Sequence, residues 1–235
     1  MAERNPSRRP LVALTGASRG IGRATAFELA RCGSDLALVG RASDALTLTV
    51  EQARVAGAQV IHLECELSEP AQVSAAGREL ASGERVPDCL INNAGTITRG
   101  SVEQQTLADF QRQIAVNLQA PFLLCRELLP AMRARGSGRL LQIGSIASTL
   151  GTTQSSIYNA SKWGLVGFTK SLAEELSGSG LMTLTLLPGS VDTEMLQGSG
   201  FAPRMTAEAV AASIVYYALQ APLAHNGATI EMFGV

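Results

Sequence analysis

Short apolar runs alternate along the chain with longer segments whose apolar positions recur every three or four residues. Seven runs read as strands: LVALTG (Leu11 to Gly16), DLALVGR (Asp35 to Arg41), QVIHLEC (Gln59 to Cys65), DCLINNAG (Asp88 to Gly95), RLLQIGS (Arg139 to Ser145), MTLTLLPG (Met182 to Gly189) and ATIEMFG (Ala228 to Gly234). Most lack clean apolar–polar alternation, which is the pattern of strands covered on both faces. Amphipathic segments lie between them. One starts near Ser43-Asp44 and stops at Gly57, and another stops at Gly33. Strand and helix alternating throughout predict an α/β fold: a doubly wound, seven-stranded, mostly parallel sheet with helices on both faces, connected right-handed. With no internal repeat or long linker, residues 11–235 read as one domain, preceded by a flexible tail over 1–10.

Composition narrows the setting. At 235 residues a single α/β domain buries roughly 70–75 % of its unfolded surface, enough for a sizeable core. A net charge of −1 gives no reason to expect nucleic acid or an anionic membrane as partner. The opening MAERNPSRRP is polar and basic with no apolar stretch behind it, so it reads as a frayed tail rather than a signal peptide. No run reaches the ~18 apolar residues of a membrane span. Cys32, Cys65, Cys89 and Cys125 are scattered without a CxxC, which suits free thiols in a reducing cytoplasm. The two histidines, His62 and His225, are far apart in sequence, and no metal-ligand set is predicted. His62 is expected to face the packing of the sheet.

After the first strand comes TGASRGIGRA, Thr15 to Ala24, with Gly16, Gly20 and Gly22 where strand becomes helix. A dinucleotide pyrophosphate needs backbone free of side chains at close approach, and it gains from unpaired N–H groups at a helix N-terminus. The spacing here is GxxxGxG rather than GxGxxG, and a purely structural turn is the plainer alternative. The same residues also fit GxSxG, the elbow of a serine hydrolase around Ser18, with Asp192 and His225 following in the order a triad requires. Against that reading, the elbow would sit on the first strand with none before it to build an oxyanion loop. Gly22 would also be unused, and His225 lies in what reads as a surface turn.

Further on, SIYNASKWG places Tyr158 four residues ahead of Lys162, on one face of a predicted helix. A free phenol has a pKa of about 10. A unit positive charge some 4 Å away is worth up to about 4 kcal/mol at an effective dielectric of 20. Lys162 is therefore expected to bring Tyr158 toward the range where it exchanges protons at neutral pH. The bland alternative is a packed tyrosine beside a solvated lysine.

Taken together these motifs resemble the short-chain dehydrogenase/reductase family in its compact single-domain branch, from Leu11 to about Gly234. TGASRGIG matches the cofactor turn (Gly16, Ser18, Arg19, Gly20, Ile21, Gly22), and LINNAG matches the fourth-strand signature (Asn93, Ala94, Gly95). VNL carries Asn117, IGSIAS places Ser145 thirteen residues before Tyr158, and LLPGSVDT matches a PGxVxT loop (Pro188, Gly189, Val191, Thr193). The resemblance implies a Rossmann-type fold and transfer of hydride between a nicotinamide cofactor and a carbonyl or alcohol. It also implies roles: Tyr158 as acid or base, Lys162 lowering its pKa and holding the nicotinamide ribose, Ser145 bonding the substrate oxygen, and Asn117 holding a water in a proton relay.

The second strand ends in LVGR, with Gly40 and Arg41 where an enzyme using NAD usually has an acid for the ribose 2′-OH. Arg41 and Arg19 suit a 2′-phosphate, so NADP(H) is predicted over NAD(H). In the loop after the third strand, Glu66 stands where many relatives have Asp near the adenine, and Leu67 offers a backbone contact. The lid after Thr193 is short, EMLQGSGFAPRM from Glu194 to Met205, before a helix at about Thr206. A small ketone or a carrier-tethered 3-oxoacyl group is the expected substrate, and 3-oxoacyl-carrier-protein reductases are similar around the Tyr158 helix. Helices around Val102 to Met132 and Ser156 to Ser177 carry enough small and apolar residues to pair with copies of themselves, and the resemblance implies a homodimer or homotetramer. A cofactor-binding sensor or scaffold of the same fold, without turnover, is the rival outside enzymology.

Overall fold

In the computed structural model, which describes residues 8–234, seven strands alternate with seven α-helices. They run β1 (Leu11–Thr15), α1 (Gly20–Arg31), β2 (Asp35–Gly40), α2 (Asp44–Val55), β3 (Val60–Glu64), α3 (Pro70–Ser82), β4 (Cys89–Asn92) and α4 (Leu107–Ile114). Then follow α5 (Ala120–Arg135), β5 (Gly138–Ile143), α6 (Ser156–Glu175), β6 (Leu181–Pro188), α7 (Ala207–Leu219) and β7 (Thr229–Met232). All seven predicted strands form. They pair in the order β3-β2-β1-β4-β5-β6-β7, and every pairing is parallel. The order reverses direction between β1 and β4, which opens a crevice at the carboxyl ends of those strands.

The period of two along β1 divides the core. Val12 and Leu14 face one side, with Leu29 of α1 and Ile214 of α7; Leu11 and Ala13 face the other, with Val73 of α3 and Leu124 and Leu128 of α5. Both faces of the central strands are therefore dry. That is why their sequences show continuous apolar runs rather than alternation.

Three expectations change. The tail reading does not hold for its last residues. Arg9 pairs with Asp35 at 3.1 Å and Arg8 with Asp88 at 3.2 Å, while Asp35 also holds Arg85 at 2.8 Å and accepts the Gln59 N–H. Burial raises the Asp35 carboxyl, but the Arg85 and Gln59 hydrogen bonds and the two arginine charges outweigh it and hold the pKa below normal. Residues 1–7 of that tail lie outside the described residues. His62 does not face the sheet packing. It is exposed on the edge strand β3, with a ring nitrogen 2.9 Å from the Gly40 carbonyl oxygen. The helix expected from Val102 starts instead at Leu107, where Thr106 and Asp109 form a reciprocal cap, and it is interrupted by a π-helical turn, Ala115–Gln119.

Candidate active site

The crevice is built from loops that leave the carboxyl ends of β1, β4, β5 and β6. At the glycine turn, Gly16 and Gly20 take positive φ angles of 72° and 51°, which an L side chain rarely adopts. A Cβ on Gly16 would meet the Ala94 backbone at 2.8 Å, and one on Gly22 would stand 2.0 Å from the Gly16 carbonyl oxygen. Gly16 and Gly22 therefore let β1, α1 and the β4 loop close on one another. Asn93 completes the joint: its Nδ2 donates to the carbonyls of Thr15 (3.0 Å) and Gly16 (3.2 Å). The Asn93 and Ala94 N–H groups both donate to Thr15 Oγ1 at 3.0 Å. Asn93 is thus a strut beside the crevice.

At the N-terminus of α1 no side chain caps the helix and no acid stands in its first turn. Its leading N–H groups and the positive end of its dipole remain free for an anion. Ser18 and Ile21 flank this opening, and Thr193 lies over it, with Thr193 Cγ2 3.0 Å from the position a Gly20 Cβ would take. The PGSVDT loop is fixed behind: Gly189 N donates to the Met232 carbonyl at 2.8 Å, and buried Val191 bridges Met205. Pro188 ends β6. Arg41 and Glu66 sit at the far end, 3.5 Å apart and partly exposed; Leu67 beside them is partly buried against the core. Partial burial raises the Glu66 carboxyl, yet two Ser68 hydrogen bonds with Arg41 and Arg112 keep it below its usual range. Arg19 is ion-paired with Glu194 of the lid.

At the other end of the crevice, Tyr158 and Lys162 lie one turn apart on α6, both buried. The Lys162 ammonium stands 5.8 Å from the Tyr158 ring centroid and donates to the Ile143 carbonyl at 2.9 Å. Ser145 follows β5 and faces the Tyr158 phenol as its hydrogen-bond partner, while its Oγ also accepts the Ala147 N–H at 3.2 Å. Asn117 lies wholly buried in the π-helical turn. Its Oδ1 accepts the Thr96 N–H at 2.8 Å, and its Nδ2 donates to the Thr96 carbonyl at 2.9 Å and Ser161 Oγ at 3.0 Å. Ser145, Tyr158, Lys162 and Asn117 thus come together from three separate elements. One Asn117 donor braces the loop after β4 at Thr96, and the other ties the π turn to Ser161 of α6. The extra residue of the π turn is what aims this side chain inward.

One sequence expectation is corrected here. Lys162 does not pull the Tyr158 phenol down. Burial raises the Tyr158 pKa above its ordinary value, against a downward pull from the Ser145 hydrogen bond and the charge of Arg99. Lys162 is itself pushed down to about 8 by burial. The physical reason is shared: the pocket withholds water from both charged forms, and the ammonium is turned to a backbone carbonyl. Arg99, in the loop after β4, was not predicted, because a single arginine in a loop carries no pattern.

The rival hydrolase triad does not assemble. Ser18 stands at the carboxyl end of β1. His225 lies in a turn tied to Thr183 near the start of β6, at the amino end of the parallel sheet and so opposite the crevice, and packs edge-on against Tyr217 at 5.6 Å. Among the described residues no three His, Cys, Asp or Glu side chains gather as a metal site, and no helix is long and apolar enough to cross a membrane.

The sequence profile of the short chain dehydrogenase family matches residues 10–201. The chain belongs to that family. Among its curated relatives is the ketoacyl reductase HetN of Nostoc, 37 % identical over 180 residues. That match covers 77 % of this chain but 63 % of HetN, so the chain spans less than two thirds of this relative. Two solved structures extend over nearly all of it. One, described as a putative NAD(P)-dependent gluconate 5-dehydrogenase from Beutenbergia cavernae with bound NADP, superposes with a TM-score of 0.88 at 30 % identity, covering 94 % of each chain. The other, a 3-oxoacyl (acyl-carrier-protein) reductase from Agrobacterium tumefaciens with NADP bound, has a TM-score of 0.87 at 27 % identity, covering 97 % of this chain and 94 % of that one. The chain thus shares its single-domain, Rossmann-type architecture with oxidoreductases whose structures hold NADP.

Proposed function

We propose that the protein is an NADP(H)-dependent oxidoreductase that reduces a ketone or 3-oxoacyl-type carbonyl to a secondary alcohol, with Tyr158 as the general acid. The juxtaposition of Ser145, Tyr158 and Lys162 at the end of an open glycine-lined crevice carries this reading.

The residues present fit a dinucleotide. The free N-terminus of α1 and the side-chain-free surface at Gly16 and Gly20 suit a pyrophosphate; Arg19 and Arg41 suit a 2′-phosphate. A Cβ on Gly95 would lie 3.5 Å from both Lys162 Nζ and Asn117 Oδ1. The glycine therefore keeps open the place where Lys162 would hold a ribose. When bound, the nicotinamide supplies hydride equivalents to the carbonyl carbon.

The chain's own groups then handle the oxygen. Ser145 donates a hydrogen bond to it as negative charge builds. Tyr158, its pKa raised by burial, keeps its proton at neutral pH and so presents the acid form that reduction requires. Lys162, its pKa pushed down to about 8 by burial, carries a positive charge below that pH and is placed to hold a ribose hydroxyl, while the Ser145 hydrogen bond and the Arg99 charge favour the phenolate left behind. The aromatic residues Phe122 and Trp163, 44 % and 53 % exposed on α5 and α6, support the further reading that copies of the chain pair through these helices.

The test is turnover of a carbonyl panel followed by NADPH absorbance. Tyr158→Phe is expected to lose about a thousandfold in kcat, the usual worth of a positioned acid, with NADPH affinity retained. Undiminished turnover in that variant would overturn the assignment. NADPH binding with no turnover across the panel would favour the sensor or scaffold.

A further inference from the structure

Arg99 reaches from the loop after β4 across the mouth of the crevice. Its Nη1 lies 3.5 Å from Ser155 Oγ, and its Nη2 donates to the Met195 carbonyl at 3.1 Å. Ser155 immediately precedes α6, three positions ahead of Tyr158 and so one helical turn away on the same face. Met195 belongs to the short helical turn of the lid, Glu194–Leu196, and its methyl group borders the opening beside Gly95 and Lys162. The guanidinium therefore stands between the catalytic helix and the lid.

Among the described residues no carboxylate lies within ion-pair distance of this cation, and the other arginines bordering the crevice, Arg19 and Arg41, both have acidic partners. The nearest acid along the lid, Glu194, is held by Arg19. The first turn of α6 contributes no acid either. The two partners Arg99 does have are a neutral hydroxyl at the limit of hydrogen-bond distance and one backbone carbonyl. Most of its five N–H donors remain for a ligand. Its charge also reaches the reacting group, since it pulls on the Tyr158 phenol.

We propose that Arg99 recognises a carboxylate on the substrate, so that the protein acts on a short oxo acid and the corresponding hydroxy acid in preference to a neutral ketone or thioester. The proposal rests on the carbonyl-reductase reading above and names its substrate class. A planar guanidinium takes a carboxylate through two parallel hydrogen bonds, which fixes orientation as well as affinity. Anchored at Arg99, such a substrate has its carbonyl directed inward toward Ser145 and Tyr158. A thioester offers no charge at that place and leaves the guanidinium unpaired.

The experiment compares each of 2-oxobutanoate, 3-oxobutanoate and 4-oxopentanoate with its own methyl ester. Wild type, Arg99→Gln and Arg99→Lys are each loaded with NADPH. Two readouts are taken: kcat/KM by NADPH absorbance, and affinity by calorimetric titration with NADP⁺ in place of NADPH. For at least one pair the wild type is expected to favour the acid by about 100-fold in both, the worth of a charge-assisted hydrogen bond. The ratio falls toward one in Arg99→Gln and is intermediate in Arg99→Lys. A wild-type ratio near one for every pair, or a ratio that survives Arg99→Gln, would overturn the proposal; so would absence of binding by all three acids. Arg99-dependent binding of an acid without any turnover would leave the anion site standing and remove the reductase reading. Equal, Tyr158-dependent turnover of acid and ester would do the reverse.

Discussion

The Lys162 ammonium donates to the Ile143 carbonyl at 2.9 Å, joining the middle of α6 to the last residue of β5. It is buried and makes this bond to a neutral acceptor, and its pKa falls from 10.5 to about 8. A shift of that size corresponds to roughly 3 kcal/mol between the two protonation states. Its sign is unfavourable to the fold. Between about pH 8 and 10.5 the unfolded chain holds this proton and the folded chain releases it, so stability from this group rises with pH through that window and is lowest below it. Thermal melts of wild type and Lys162→Met should show the variant's advantage, or smallest disadvantage, at pH 7. The difference should move steadily toward wild type by pH 10. A pH-independent difference would mean that Lys162 does not titrate from a buried state.

The contact between Gly16 and Gly22 makes a stability prediction. A Cβ at position 22 would stand 2.0 Å from the Gly16 carbonyl oxygen and 2.5 Å from Asn93 Nδ2, with backbone on one side and a committed side chain on the other. Gly22→Ala should cost about 3 kcal/mol, at the upper end of overpacking effects, which lowers Tm by roughly 6–12 °C in a chain of this size. Gly167→Ala is the control. It lies in α6 with nothing within 4 Å of the added methyl, and it should raise stability by up to about 1 kcal/mol through helix propensity. Equal melting temperatures for the two variants would show that the turn has room to yield.

Arg41 bears on the cofactor. Its partner Glu66 is 3.5 Å away and the arginine is 69 % exposed, so the pair is weak and the guanidinium is free to take another anion. Losing one charge-assisted hydrogen-bond pair and placing a carboxylate there should lower the NADPH-to-NADH ratio of kcat/KM about 100-fold in Arg41→Asp. Steady-state kinetics with both cofactors decides the matter. A wild type that prefers NADH would overturn the NADP(H) assignment.

What the sequence by itself determined is the part governed by local rules. The seven apolar runs announced a sheet buried on both faces. Gly16, Gly20 and Gly22 marked a turn that tolerates no side chain, and the four-residue interval put Tyr158 and Lys162 on one helical face. Each of these follows from backbone geometry and nearest neighbours. Tertiary structure alone decided the electrostatics and the long-range contacts. The Tyr158 phenol rises rather than falls because water is excluded from around it, and burial is a property of the whole packed domain. Arg99 stands beside Ser155 because folding brings together two positions 56 residues apart. Asn117 became a brace because a π turn, which no periodicity signalled, swung it against Thr96 and Ser161. Spacing along a chain encodes direction on a helix or strand; charge and solvation depend on what other segments bring alongside.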